Sequence, residues 1–153
     1  MSAVNLRIAV LLLALGVPAC AGVKSYSNAA PKNVVVRTET DGKVRVSLHV
    51  HEVDAKCQTQ YRGTVALDPG ATDLGIPAER FSYLVVTFDT SSFMSGSSTS
   101  SVGTLLKPRA GYGYDVNVSY RKNIYNVAIR ETDARRNSSR DISRRDLSTC
   151  WLS

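Results

Sequence analysis

The chain has few of the residues on which catalytic sites and cofactors depend. It has two histidines, three cysteines and one tryptophan in 153 residues. No C-x-x-C spacing is present, which argues against a redox motif or a zinc knuckle. No G-x-S-x-G surrounds any serine, so no nucleophile elbow can be nominated. No P-loop or dinucleotide fingerprint occurs. The carboxylates are scattered among turns and the C-terminal region, and they offer no acid/base pair. No stretch shows the three-turn apolar period of an amphipathic helix. These absences exclude the common enzyme classes and predict no cofactor.

What is present is β-like. Hydrophobic residues make up 43% of the chain, ordinary for a globular protein. Val34 to Glu39 is short and β-branched, and Thr40-Asp41-Gly42-Lys43 follows. Asp-Gly is a favoured two-residue hairpin turn, so a hairpin is expected here. On the return strand Val44, Val46, Leu48 and Val50 alternate with Arg45, Ser47, His49 and His51. Gln60 to Leu67 reads as the next strand, stopped by Asp68-Pro69-Gly70. The segment to Arg80 reads as a connection between sheets. Phe81 to Asp89 is nearly continuously apolar and reads as a central strand.

Residues 90–101 hold seven serines and two threonines around Phe93 and Met94. They read as a long mobile loop whose apolar tip contacts a partner or folds back on the core. Val102 to Leu106 is a short strand. Tyr112, Tyr114, Val116, Val118 and Tyr120 share one face of the next, and Arg121-Lys122-Asn123 links it to a strand carrying Tyr125, Val127 and Ile129. Residues 133–150 form an Arg-rich arm containing Arg135, Arg136, Arg140, Arg144 and Arg145. About seven strands at this spacing predict a single all-β domain. The expected fold is an antiparallel β-sandwich, immunoglobulin-like or transthyretin-like, over residues 33–153.

The start of the chain differs in kind. Arg7 precedes an apolar run from Ile8 to Val17. About ten helical residues cover roughly half of a ~30 Å hydrocarbon core, which suits a signal peptide rather than a membrane span. Val17-Pro18-Ala19-Cys20 resembles the lipobox of bacterial lipoproteins. That resemblance implies removal of residues 1–19 and acylation of Cys20, by palmitate among other chains. It also implies a lipid-anchored protein of the bacterial outer membrane, facing the periplasm. Ala19-Cys20-Ala21 offers another reading, an ordinary A-x-A cleavage site, which yields a secreted or soluble periplasmic protein. Residues 20–32 are small and polar and read as a flexible tether, roughly 40 Å long when extended.

Either processing route leaves Cys57 and Cys150. In an oxidising compartment they have one possible pairing, a disulfide that ties the end of the chain to its first third. Trp151 stands next to it and is expected to cover it. His49 and His51 lie about 6.5–7 Å apart on one strand face and are a weak candidate metal pair. A metal site needs three or four ligands, and spacing identifies no third, so no metal is expected. Tyr112, Tyr114, Tyr120 and Tyr125 read either as core or as a stacking platform for sugar.

The formal charge is +6, about +5 without Arg7. For an exported chain this points to anionic glycan or lipid headgroups and not to nucleic acid. The functional expectation is a non-catalytic envelope lipoprotein acting through protein–protein contacts, as an assembly component or a periplasmic inhibitor or immunity factor. Its contact surface is expected to combine the serine loop with the arginine arm. The alternatives are a glycan- or peptidoglycan-binding module, and an enzyme or metal protein with an unrecognised site.

Overall fold

The computed structural model describes residues 22–41, 44–92 and 96–152. The signal-peptide and lipobox residues, Cys20 included, lie outside the described residues, as do Gly42, Lys43, Phe93 and Met94. Two sheets form a β-sandwich. In chain order the strands are β1 (Val34–Thr40), β2 (Val44–Val53), β3 (Thr59–Ala66), β4 (Gly70–Leu74), β5 (Ser82–Ser92), β6 (Gly96–Leu106), β7 (Tyr112–Arg121), β8 (Ile124–Asp133) and β9 (Ser138–Ile142). One sheet has the order β4-β1-β7-β8-β9 and the other β3-β2-β5-β6. A 3₁₀ helix, Leu147–Leu152, closes the described chain.

The core lies between the sheets. Val34, Val36, Val116, Val118, Val127 and Ile129 face Leu48, Val50, Leu84, Val86 and Phe88 across it. The alternation read from residues 44–50 is therefore the inner face of β2, as expected for a strand with one buried side. All pairings between the named strands but one are antiparallel. The exception is β1 with β7, which run parallel from Val34 opposite Tyr114 to Thr40 opposite Tyr120. In the immunoglobulin order the first strand sits beside the second. Here β1 sits between β4 and β7, which is not that order.

The expected β1–β2 hairpin is corrected. The two strands belong to opposite sheets and do not pair with each other. A period of two marks a buried face, and that face pairs across a core as readily as beside a neighbour. Asp41 is tied instead to the β7–β8 hairpin. Its N–H donates to the Tyr120 carbonyl at 2.9 Å, and its carboxylate accepts from the Lys122 N–H at 3.0 Å. That hairpin matches expectation. Lys122 and Asn123 have φ of 50° and 64°, the two left-handed residues of a tight turn between Arg121 and Ile124.

The serine loop is also corrected. β5 and β6 stay in unbroken register from Ser82 opposite Leu106 to Ser92 opposite Gly96. Hydroxyl pairs hold the polar half: Thr90 Oγ1 to Ser98 Oγ at 2.8 Å and Thr87 Oγ1 to Ser101 Oγ at 3.0 Å. The segment after Pro69 contains β4 and the arm contains β9, so the described residues hold nine strands where about seven were expected. The arm of residues 133–150 is β9 on the edge of β8, followed by the 3₁₀ helix.

The disulfide joins Cys57 to Cys150, with Cα atoms 5.9 Å apart. Val53 and Leu105 pack with Cys150 in a small second core, flanked by Phe81, Tyr83 and Leu147. Trp151 does not cover the bridge, being 69% exposed. The expected tether is corrected from Lys24 onward. Ser25 bridges to Thr64 of β3, and Asn28 and Asn33 bond the backbone around Asp73, Gly75 and Ile76. Residues 24–33 thus form a strap over the open side between β3 and β4.

Candidate functional site

The alternation that buries Val127 and Ile129 on β8 continues to Glu131 and Asp133. A carboxylate turned inward must find donors or lose its charge. Glu131 is 4% exposed and has four such bonds. Tyr114 Oη donates to its Oε2 at 2.7 Å, Arg109 Nε to Oε2 at 3.1 Å and Arg140 Nε to Oε1 at 2.8 Å. Arg109 Nη2 makes a further, close ion pair with Oε1. Burial alone would push this carboxyl up. The bonds from Arg109, Tyr114 and Arg140 together outweigh it and hold the group at about 2.

Asp133 is arranged in the same way. Its Oδ1 accepts the backbone N–H of Arg135 at 3.0 Å and of Arg136 at 3.3 Å, and Arg136 Nε stands 3.8 Å from Oδ2. Burial again opposes ionisation. The Arg135 N–H, the Tyr112 hydroxyl and the Arg136 N–H overcome it and lower the pKa. Asn137, at φ 47°, completes the turn into β9. The Arg109 guanidinium lies 3.7 Å from the centre of the Tyr112 ring. Its bond to Glu131 raises its pKa further, so it is charged at any physiological pH.

The result is an open cup of about 330 Å³ lined by Arg109, Tyr112, Glu131, Asp133, Arg136 and Arg140, with Ser138 and Ser139 on its wall. Both carboxylates are buried, whereas the arginine side chains keep 44%, 82% and 67% exposure at Arg109, Arg136 and Arg140. The carboxylates thus act as braces. Glu131 holds the Arg109 and Arg140 guanidinium groups by direct bonds, Arg136 stands more loosely beside Asp133, and other N–H groups are left toward solvent, an arrangement that receives carboxylate, phosphate or sulfate. A second concavity of about 500 Å³ shares Arg109 and Tyr112 and extends to Lys32, Asn33 and Gly113. Together they make a groove rather than a single-ion pocket.

Of the residues singled out from the sequence, Tyr112, Tyr114, Arg135, Arg136 and Arg140 come together here. Arg144 is exposed and outside the cup. Arg145 is held against β6, its carbonyl accepting the Leu105 N–H at 2.7 Å. The tyrosines form no exposed row. Tyr114 is 2% exposed, Tyr120 stacks on Phe88, and Tyr125 at the far hairpin is 44% exposed. Arg109, Glu131 and Asp133 were missed. The signal for the two acids was present, because they continue the inward series of Val127 and Ile129. Arg109 had no signal beyond its place after Pro108.

The serine hairpin and the arginine cup do not share one surface. Tyr112 pairs with Asp133 at one end of the sandwich, whereas Ser92, Gly96 and the Arg121–Ile124 turn mark the other. Ten residues of strand put roughly 33 Å between them. His49 and His51 lie on the outer face of β2. His49 is bonded through Nδ1 to Thr64 Oγ1 at 2.7 Å and through Nε2 to Ser47 Oγ at 3.3 Å. His51 packs on Tyr61 and Tyr83, and burial and the neighbouring His49 lower its pKa. Among the described residues no three His, Cys, Asp or Glu side chains gather where a metal ion could be held.

No protein-family model, no curated protein and no solved structure matches this chain.

Proposed function

We propose that this chain is an exported, lipid-anchored domain of the bacterial envelope that works without catalysis, by gripping an acidic segment of a protein partner. The observation that carries the reading is the pair Arg109 and Arg140 braced on buried Glu131, with Arg136 beside buried Asp133. Arginines ordered before contact lose less rotamer freedom on binding than free surface arginines. The groove that runs on to Lys32 and Gly113 suits an extended acidic segment better than an isolated ion. Partner assembly and inhibition are both served by such a grip.

The test uses cross-linking in intact envelopes, with the full chain carrying Cys20. The unaltered chain is compared with a variant in which Arg135 and Arg136 are both changed to Glu. Both arginines are exposed; Arg135 touches Asp133 only through its backbone N–H, and the Arg136 side chain stands 3.8 Å from it. A specific partner is expected to be lost in the variant and to weaken as salt rises. Capture that is indifferent to both the charge reversal and salt refutes the acidic grip. Failure to capture protein, together with binding of purified acidic glycan, replaces the protein partner with a glycan.

A further inference from the structure

The strap changes how far the domain can stand from its anchor. Lys24 is the first fixed point. Its carbonyl accepts the Thr64 N–H at 2.8 Å and the Tyr61 hydroxyl at 3.3 Å. Tyr26 follows, its N–H donating to the Thr64 carbonyl at 3.0 Å and its hydroxyl to the Gly75 carbonyl at 2.8 Å. Two glycines form the seat. A Cβ on Gly63, at φ +149°, would stand 2.5 Å from the Tyr26 backbone, and one on Gly75 would stand 1.9 Å from the Ala30 oxygen. Backbone this close admits no side chain.

Only four peptide units separate Cys20 from Lys24. They reach about 14 Å at most, against the roughly 40 Å of a free twelve-residue tether. We propose that the β3 edge around Lys24 and Tyr61 lies directly on the lipid surface that receives the acyl chains, so that the domain is held in one orientation. This inference rests on the lipid-anchored reading of Cys20. The face has the composition that a headgroup layer accepts. Val23 is 75% exposed, and Tyr61 is 38% exposed, its ring lying beside His49 and His51 on the outer face of the sheet. Lys24 follows Val23 in the chain, and Arg62 follows Tyr61 and pairs with Glu52 in the concavity that Lys24 also lines. An apolar residue, an amphipathic ring and long basic side chains suit the interface between hydrocarbon and an anionic surface.

The test uses the full acylated chain in vesicles of phosphatidylethanolamine and phosphatidylglycerol carrying lipids brominated near the headgroup. Trp151 is first changed to Phe to remove the native signal. One indole is then introduced, by Tyr61→Trp or, on the outer face of the five-stranded sheet, by Arg130→Trp. The expected result is quenching at least threefold stronger for Tyr61→Trp. Inserting eight Gly/Ser residues between Ala21 and Gly22 restores a long tether without touching the fold, and is expected to bring the two signals together. Acylated protein that floats with the vesicles but quenches equally at both positions overturns the orientation and leaves the anchor standing. A chain that takes up no labelled palmitate, or floats unchanged after Cys20→Ser, overturns both.

Discussion

Glu131→Gln isolates the brace from the shape that holds it. The substitution keeps the side-chain volume and removes the charge that Arg109 and Arg140 share. Lowering a carboxyl from 4.5 to about 2 corresponds to about 3 kcal/mol of preference for the ionised form. Arg109 and Arg140 remain 44% and 67% exposed, so water screens part of that attraction. A loss of about 2 kcal/mol at pH 7 is the working figure. The glutamine amide also turns a donor toward groups that are themselves donors, which prevents recovery of the lost bonds. The sign with pH follows from the depressed pKa. The stabilisation is complete above 4.5, where the carboxyl is ionised in folded and unfolded chains alike. It drains away as pH falls from 4.5 through 2, where the folded chain takes up its proton. Urea unfolding followed by far-ultraviolet circular dichroism at pH 7, 5, 3.5 and 2 measures this, with the slope m checking that the same surface unfolds. The gap between the two proteins is expected to close toward pH 2. Asp133 also titrates abnormally, but it is present in both proteins and largely cancels in the difference. A gap under about 0.5 kcal/mol at pH 7, or one that does not change with pH, refutes the brace.

Two further outcomes are expected. Changing Cys57 and Cys150 together to Ala opens a loop of 93 residues, which the chain-entropy account values at ~4–5 kcal/mol. Calorimetry should show Tm falling by roughly 15 °C, and a fall under about 3 °C would mean that the bridge closes a loop already closed by packing. Thr38 is 2% exposed, and its hydroxyl is a buried polar atom without a hydrogen-bond partner among the described residues. Thr38→Val should therefore raise stability by about 1 kcal/mol in urea unfolding, and a loss of stability would reveal a partner for that hydroxyl.

What could be read in advance depended on whether the cause was local. The Lys122-Asn123 turn is local chemistry, and it formed as read. The disulfide followed from counting, because either processing route left a single pair. The β1–β2 hairpin failed because Val34, Val36, Val46 and Leu48 declare a buried side without saying which strand lies next to it. Low complexity hid the cross-strand hydroxyl pairs of Thr87, Thr90, Ser98 and Ser101, so strand read as loop. The strap was invisible because its strength comes from glycines far along the chain, Gly63 and Gly75, and not from its own small residues. At the site, the arm arginines were legible as charge. Their organisation needed Glu131 and Asp133, whose inward position follows only if the period of β8 is carried past its last valine and isoleucine.

The parallel pairing of β1 and β7 bears on the order in which the molecule is made. β2 with β3, β5 with β6, and β7 with β8 are neighbours along the chain and can close as they emerge. β1 cannot, because Val34 meets Leu74 of β4 forty residues later and Tyr114 of β7 eighty residues later. Contacts of such separation carry a loop-closure cost that must be met before any bond repays it, and they slow folding. An emerging chain therefore presents Val34-Val35-Val36 to its surroundings until β4 arrives, and keeps one edge of β1 open until β7 follows. A run of β-branched residues left unpaired in this way is a site for wrong pairing between nascent chains. Delivery of β4 covers one edge of the first strand and delivery of β7 the other, and truncations that end before Tyr120 should aggregate through the edge left open.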